Sequence, residues 1–379
     1  MTQVDVGALI NLARAAVRSL TPYEHASWDP TFDRLHANES PWPPEGTDPA
    51  LALQRYPEPQ PQDLVQAYAR HLGVDPASVL VGRGSDEGID LLTRAFCEAR
   101  QDSVLITPPT FGMYAVAARI QGAFIAEVPL ARDAGFALDF VEVIGAVRTG
   151  YVNGARLKIL WLCTPNNPTG NALPADQVQR IIDAANERVL VVIDEAYADF
   201  STQPSWVTKV KDHPQLIVLR TMSKAHALAG ARIGALVAHP RIIALLRKII
   251  PPYAIARESA LAAVAALQPA ALARTAERVA LLRRERERLA TAFAASPKIQ
   301  KVWPSEANFL LVDFKDPDAA LRALAAEHFV VRDFRSKRGL GPGALRITVG
   351  SPEQNDALDR KSTRLNSSHV SESRMPSSA

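Results

Sequence analysis

Short β-branched apolar runs alternate along most of the chain with longer stretches whose apolar positions recur at helical spacing. VLVG (79–82) precedes EGIDLLTRAFCEA, and SVLITP (103–108) precedes FGMYAVAARIQG. AFIAEVPL (123–130) follows, then LKILWLCTP (157–165) with PADQVQRIIDAANE, then RVLVVIDEAY (188–197) and LIVLRT (216–221). Short runs of this kind read as strands, and the periodic segments between them read as helices. The alternation predicts βαβ units and an α/β fold, with a mostly parallel, mixed sheet covered by helices on both faces. Loops that carry function then gather at the carboxyl ends of the strands.

After about Ser259 the pattern changes. ALAAVAALQPAALARTAERVALLRRERERLATAFAA is a long helical stretch, and the strand patterns NFLLVDF (308–314) and ALRITVG (344–350) flank the helical DAALRALAAEHF. This predicts a smaller α+β domain over 253–359, beside a large domain over 45–252. The Pro-rich segment 41–61 reads as an irregular connector, and MTQVDVGALINLARAAV as a surface helix. SPEQNDALDR begins like a capped helix, with Ser351 as N-cap and Pro352 at the first position. After Leu358 the apolar face fails. Residues 360–379 are rich in serine and look like a cloning scar, so the final helix is expected to stop near Leu358.

Composition narrows the function classes. The formal charge is +3, and the tail holds Lys361, Arg364 and Arg374 against Glu372, so the rest of the chain is nearly neutral. That argues against a nucleic-acid binder. No apolar run is long enough to span a membrane. Cys97 and Cys163 both lie in apolar contexts, which excludes a disulfide scaffold and fits a reducing, cytoplasmic setting. The eight histidines show no HxxxH-type spacing, so no metal site is expected.

Four strand ends carry polar residues that ordinary packing explains poorly in combination. VGRGSDEG (81–88) enters a helix through two glycines, which suits either an anion cradle or a plain capped turn. CTPNNPTG (163–170) is rich in turn formers. VVIDEAY (191–197) places Asp194 at the end of an apolar run, where a carboxylate needs a permanent partner, a cap or an ion pair. RTMSKAHALAGAR (220–232) places Lys224 after a buried-looking strand. By itself it would be a snorkelling surface residue, but a desolvated lysine is also a nucleophilic amine. Taken together, the four ends meet one set of needs. Gly84, Ser85, Thr221, Ser223 and Arg232 would receive a phosphate, and Lys224 an aldehyde. Asp194 would keep a pyridine nitrogen protonated, while Asn167 and Tyr197 would face a phenolate oxygen. Those are the demands of pyridoxal 5'-phosphate.

From LTPYEHA to Leu358 the sequence resembles the fold type I, class I/II aminotransferases that use pyridoxal phosphate. CTPNNPTG, DEAYADF and LRTMSKAHALAGARIG are shared widely in that family; RYPEPQP, RGSDEGI and PPTFGMY are closer to its histidinol-phosphate branch. The resemblance implies that Lys224 is the Schiff-base lysine and Asp194 the ring-nitrogen partner, with Asn167 and Tyr197 on the ring hydroxyl. Gly84, Ser85, Asp86 (through its backbone N–H), Thr221, Ser223 and Arg232 would surround the phosphate, and Phe111 would stack on the ring. Tyr56 would reach the cofactor of a partner subunit, implying a homodimer, with residues 1–44 packing on the small domain and that partner. Tyr23, Arg332 and Arg346 match substrate-binding positions.

The implied reaction is transamination of L-histidinol phosphate with 2-oxoglutarate, giving imidazole acetol phosphate and glutamate. An aromatic aminotransferase or an amino-acid-phosphate decarboxylase shares most of these motifs. A cofactor-binding regulatory module is disfavoured, because residues 1–40 are too short for a winged helix and show no basic recognition helix.

Overall fold

A computed structural model describes residues 4–24 and 32–364, with side chains through Asp359. The strands of the larger sheet are β1 (Val79–Gly82), β2 (Asp102–Ile106), β3 (Phe124–Glu127), β4 (Tyr151–Val152), β5 (Ala155–Cys163), β6 (Leu190–Asp194), β7 (Leu216–Thr221) and β8 (Gly234–Val237). Their spatial order is β1-β8-β7-β6-β5-β2-β3, with β4 pairing only β5. From β7 to β3 the main path is parallel, and β8 runs antiparallel between β1 and β7. The sheet is therefore mixed and mostly parallel, as the alternation predicts. β8 was not anticipated, because GALV holds a single β-branched residue and has little strand propensity of its own.

Successive residues of the central strands enter opposite apolar layers. Leu160 and Val191 pack in one layer, whereas Trp161 and Val192 pack in the other. A sheet covered on both faces needs unbroken apolar runs, which accounts for LKILWLC and VLVVI. Polar side chains within the strands are paired, as Arg220 is with Glu195, and those free to face a ligand gather at the strand ends.

A second sheet holds β9 (Ile299–Val302), β10 (Phe309–Phe314), β11 (Arg332–Asp333) and β12 (Ala344–Thr348), all antiparallel, in the order β11-β12-β10-β9. Its apolar face packs against the 26-residue helix Pro269–Ala294 through Leu289 and Phe293. Phe309, Leu311 and Arg346 lie on or beside this sheet's inner strands, which positions them toward the larger sheet.

Two expectations need correction. Residues 6–18 pack on the larger sheet's helices, where packing on the small domain was expected. Leu9, Ala13 and Val17 form a stripe at i, i+4, i+8 that buries with Phe96, Ile243 and Leu246, and Arg14 Nε pairs with Glu98 Oε2 at 3.1 Å. The stripe needs an apolar partner surface, and the large-sheet helices supply one. The final helix also runs from Pro352 to Arg364, past the expected stop at Leu358. Arg360, Lys361 and Arg364 are good helix formers, so local propensity carries the backbone past the end of the apolar pattern. The rest of the expected scar, 365–379, lies outside the described residues.

Leu358 is buried in that helix and closes one side of an apolar cleft of about 350 Å³, whose walls include Phe293, Phe314, Leu324 and Ile347. Asn355 fixes the helix start by donating from Nδ2 to Glu285 Oε2 at 2.8 Å. Leu358→Ala should lower the unfolding free energy by about 2–4 kcal/mol, the usual cost of a truncated core leucine. A loss under ~1 kcal/mol in chemical denaturation would show that residues 352–364 are only loosely attached.

Candidate active site

The register of the larger sheet brings the four strand ends to one edge. Asp194 ends β6 between Cys163 of β5 and Leu219 of β7. Gly234 of β8 pairs with both Gly82 and Thr221, so the turn after β1 meets the end of β7. One cavity at this edge is lined by residues from all four motifs.

Gly84, Ser85 and Asp86 line that cavity together with Thr221, Ser223 and Arg232. Gly84 has φ of 77° and precedes the helix Ser85–Phe96, whose N-terminus no side chain caps. A Cβ on Gly84 would lie 2.9 Å from Arg232 Nη2, and one on Gly234 would lie 2.5 Å from the carbonyl carbon of Gly84. Glycine at both places lets the turn, the guanidinium and β8 close on a single anion-sized space. Free N–H groups at a helix start, two hydroxyls and an arginine make a phosphate cradle. The Asp86 carboxylate adds a role that the sequence did not suggest: its Oδ2 accepts from Arg232 Nη2 at 3.0 Å and holds the guanidinium in place.

Asp194 is buried at the cavity floor. Its Oδ2 accepts from the Tyr114 hydroxyl at 2.7 Å, and its Oδ1 from the Ala196 N–H at 3.0 Å. Burial pushes its carboxyl up to about 6, while Tyr114 and Ala196 oppose that rise. Such a carboxylate is short of counter-charge, which suits a cationic ring nitrogen. Tyr114 is fully buried, stacked on Trp161 with ring centroids 5.0 Å apart. Sequence reasoning passed over it inside PPTFGMY, because one tyrosine on an apolar helix face carries no signal of its hydroxyl's partner. The neighbouring Glu195 points away and accepts from Trp206 N–H at 2.6 Å and from Arg220 Nη1 at 3.2 Å, a structural role.

Lys224 follows β7 and reaches into the same space, with Nζ 5.9 Å from the Tyr197 ring centroid. Burial, then the positive charge of Arg346, pulls its ammonium below the ordinary lysine value. Phe111, Asn167 and Tyr197 complete the cavity wall. Burial raises the Tyr197 phenol.

An adjoining cavity of about 730 Å³ opens beside Lys224 and is lined by Phe111, Asn167, Tyr197, Arg332 and Arg346. Arg332 and Arg346 are direct cross-strand partners. Arg346 Nη1 donates to Asn167 Oδ1, but its buried Nε has no hydrogen-bond partner. Burial, and after it the neighbouring Arg332, lower its pKa. Two cations placed opposite each other destabilise a sheet unless an anion joins them. Of the other basic residues in 335–338, Arg335 is engaged by Asp318 and Asp333 at 2.8 Å each, while Lys337 and Arg338 sit at the cavity wall.

Tyr23 and Tyr56 are not brought to these cavities within one chain. Tyr23 lines a separate hollow with Glu58 and Arg247. Tyr56 is half-exposed and stacks on Tyr253, ring centroids 4.6 Å apart.

The residues present fit pyridoxal phosphate: an anion cradle, a lysine amine, a buried carboxylate and a flat aromatic wall share one space. Comparison with known proteins agrees. Residues 50–360 match the family described as Aminotransferase class I and II. The histidinol-phosphate aminotransferase of Stenotrophomonas maltophilia is 49% identical over 357 residues, covering 93% of this chain and 96% of that protein. That of Xylella fastidiosa is 48% identical over 353 residues, covering 92% and 95%. Among solved structures, the Sinorhizobium meliloti histidinol-phosphate aminotransferase in complex with pyridoxal-5'-phosphate superposes with a TM-score of 0.70 at 29% identity, covering 85% of this chain and 87% of that one. This chain belongs to the class I and II aminotransferases.

Proposed function

We propose that this pyridoxal-phosphate-dependent aminotransferase moves the amino group of L-histidinol phosphate to 2-oxoglutarate, as a cytoplasmic homodimer. The observation that carries the substrate choice is the Arg332–Arg346 pair beside Lys224, with the Arg346 Nε buried and unpartnered. A phosphate monoester in one half-reaction and a dicarboxylate in the other both present oxyanions that such guanidinium groups bind bidentately. The high identity to histidinol-phosphate aminotransferases supports the same choice.

Each residue then has a role. Gly84, Ser85, Thr221, Ser223 and Arg232 hold the cofactor phosphate, Phe111 covers the ring face, and Asn167 and Tyr197 hold the ring hydroxyl. Lys224 holds the aldehyde, and Asp194 keeps the ring nitrogen protonated. The bound cofactor supplies an electron sink for the carbon that carries the amine. The Lys224 amine would take the proton from that carbon as general base and hand it to the cofactor's former aldehyde carbon as general acid. Burial, and then the charge of Arg346, lower its proton affinity in the direction that favours the neutral amine. Asp194 stabilises the charge that develops. Tyr56 is supplied to the partner's cofactor, which accounts for an exposed aromatic pair in a Pro-flanked segment.

Initial rates with histidinol phosphate, phenylalanine and aspartate as amino donors, each with 2-oxoglutarate, test the substrate. Histidinol phosphate should exceed both others in kcat/KM by about 100-fold, since neither phenylalanine nor aspartate offers a phosphate monoester to the Arg332–Arg346 pair. Equal or greater turnover of phenylalanine would point to an aromatic aminotransferase. Release of carbon dioxide from an amino-acid phosphate would point to the decarboxylase.

Subunit sharing has its own test. Tyr56→Ala and Lys224→Ala chains, each inactive alone, should regain activity when mixed under conditions of verified subunit exchange. No recovery would mean that each site is built within one chain.

A further inference from the structure

We propose that His71, Asp199 and His226 form a binding site for one divalent transition-metal ion of the zinc class, tying the loop that carries Lys224 to the body of the larger domain. His71 lies in the last turn of the helix Gln62–Leu72. Asp199 lies in the 3-10 turn Ala198–Phe200, just after DEAY. His226 follows Lys224 by two residues in the loop between β7 and β8. One ligand-type atom from each lies within 4.8 Å of the other two. The imidazoles meet edge to face, with ring centroids 5.4 Å apart at 84°. Local spacing along the chain could not reveal this trio, since its members come from three distant segments.

His226 Nδ1 is buried and has no hydrogen-bond partner. A buried polar atom left unsatisfied is costly, and a coordinated ion would satisfy it. Burial lowers both rings, His71 to about 4, in the direction that favours the lone-pair form a metal needs. The surrounding charge also suits a cation. Arg220 is paired with both Glu195 at 3.2 Å and Asp199 at 2.7 Å, so one guanidinium faces two carboxylates and the group is left net negative. Arg220 engages Asp199 through Oδ1, the outer support commonly given to a metal-binding carboxylate.

Two imidazoles and a carboxylate select zinc, cobalt, nickel or copper over calcium or magnesium. Ligand atoms around one tetrahedral zinc ion lie roughly 3.3 Å apart, so small side-chain rotations close the trio. The ion would fix His226, and through it the backbone that carries Lys224, without touching the cofactor.

The test uses the full, tag-free chain loaded with pyridoxal phosphate, titrated with Zn²⁺ by calorimetry and with Co²⁺ by visible absorbance. We expect one ion per chain, a zinc-dependent rise in melting temperature and a tetrahedral cobalt band. His71→Ala and His226→Phe should each weaken binding at least about tenfold, and together abolish it. Phenylalanine at 226 keeps a ring against position 71, so the fold is preserved while the ligand is removed. Absence of binding in the wild-type chain, or equal binding in the double variant, would overturn the proposal.

Discussion

Everything at the active edge depends on keeping the carboxylate of Asp194 ionised inside the protein. A buried carboxyl left to itself takes up a proton, because the low-dielectric interior penalises the charge. Here the strand β6 delivers it to the bottom of the cavity, where two donors, Tyr114 and the Ala196 N–H, take one oxygen each. These hold it only partway, with its pKa still raised to about 6. The remaining deficit of positive charge is one that a protonated ring would meet. Strand register, the turn after β6 and the Tyr114–Trp161 stack all converge on that one group.

The same turn is braced from behind. Glu195 and Asp199 face Arg220 from the other side, so DEAYADF combines a carboxylate at the cavity floor with carboxylates for an internal ion network. Removing one member of such a buried network strands the others and typically costs about 3–5 kcal/mol. This cost explains why the short DEAY turn is rigid enough to aim Asp194 and Tyr197 at the same space. Across the cavity, the smaller sheet contributes Arg346 directly to Asn167, so the two sheets meet at this cavity.

Much of this was legible in the sequence, for physical reasons. Strands buried on both faces must be continuously apolar, so LKILWLC and LIVLRT announce themselves, and polar residues that interrupt their ends stand out. Lys224, Asp194 and Asn167 were singled out that way as candidates, with Arg232 eight residues beyond Lys224, and the fold brings all four to one cavity. Partners set by tertiary packing were not. Tyr114 reads as one more apolar helix residue until the fold turns its hydroxyl toward Asp194, and β8 has too little propensity to be seen alone. The N-terminal stripe Leu9–Ala13–Val17 indicated a buried face but not which surface buries it. The end of the last helix was misplaced because apolar periodicity marks where packing stops, whereas the helix itself continues to Arg364.

The central claim is that Lys224 is the amine that holds pyridoxal phosphate. Reconstituting the chain with the cofactor, reducing it with borohydride and mapping the modified peptide by mass spectrometry addresses that claim most directly. The account predicts one phosphopyridoxyl group per chain, on Lys224. Modification of a different lysine, or none after reconstitution, would contradict it.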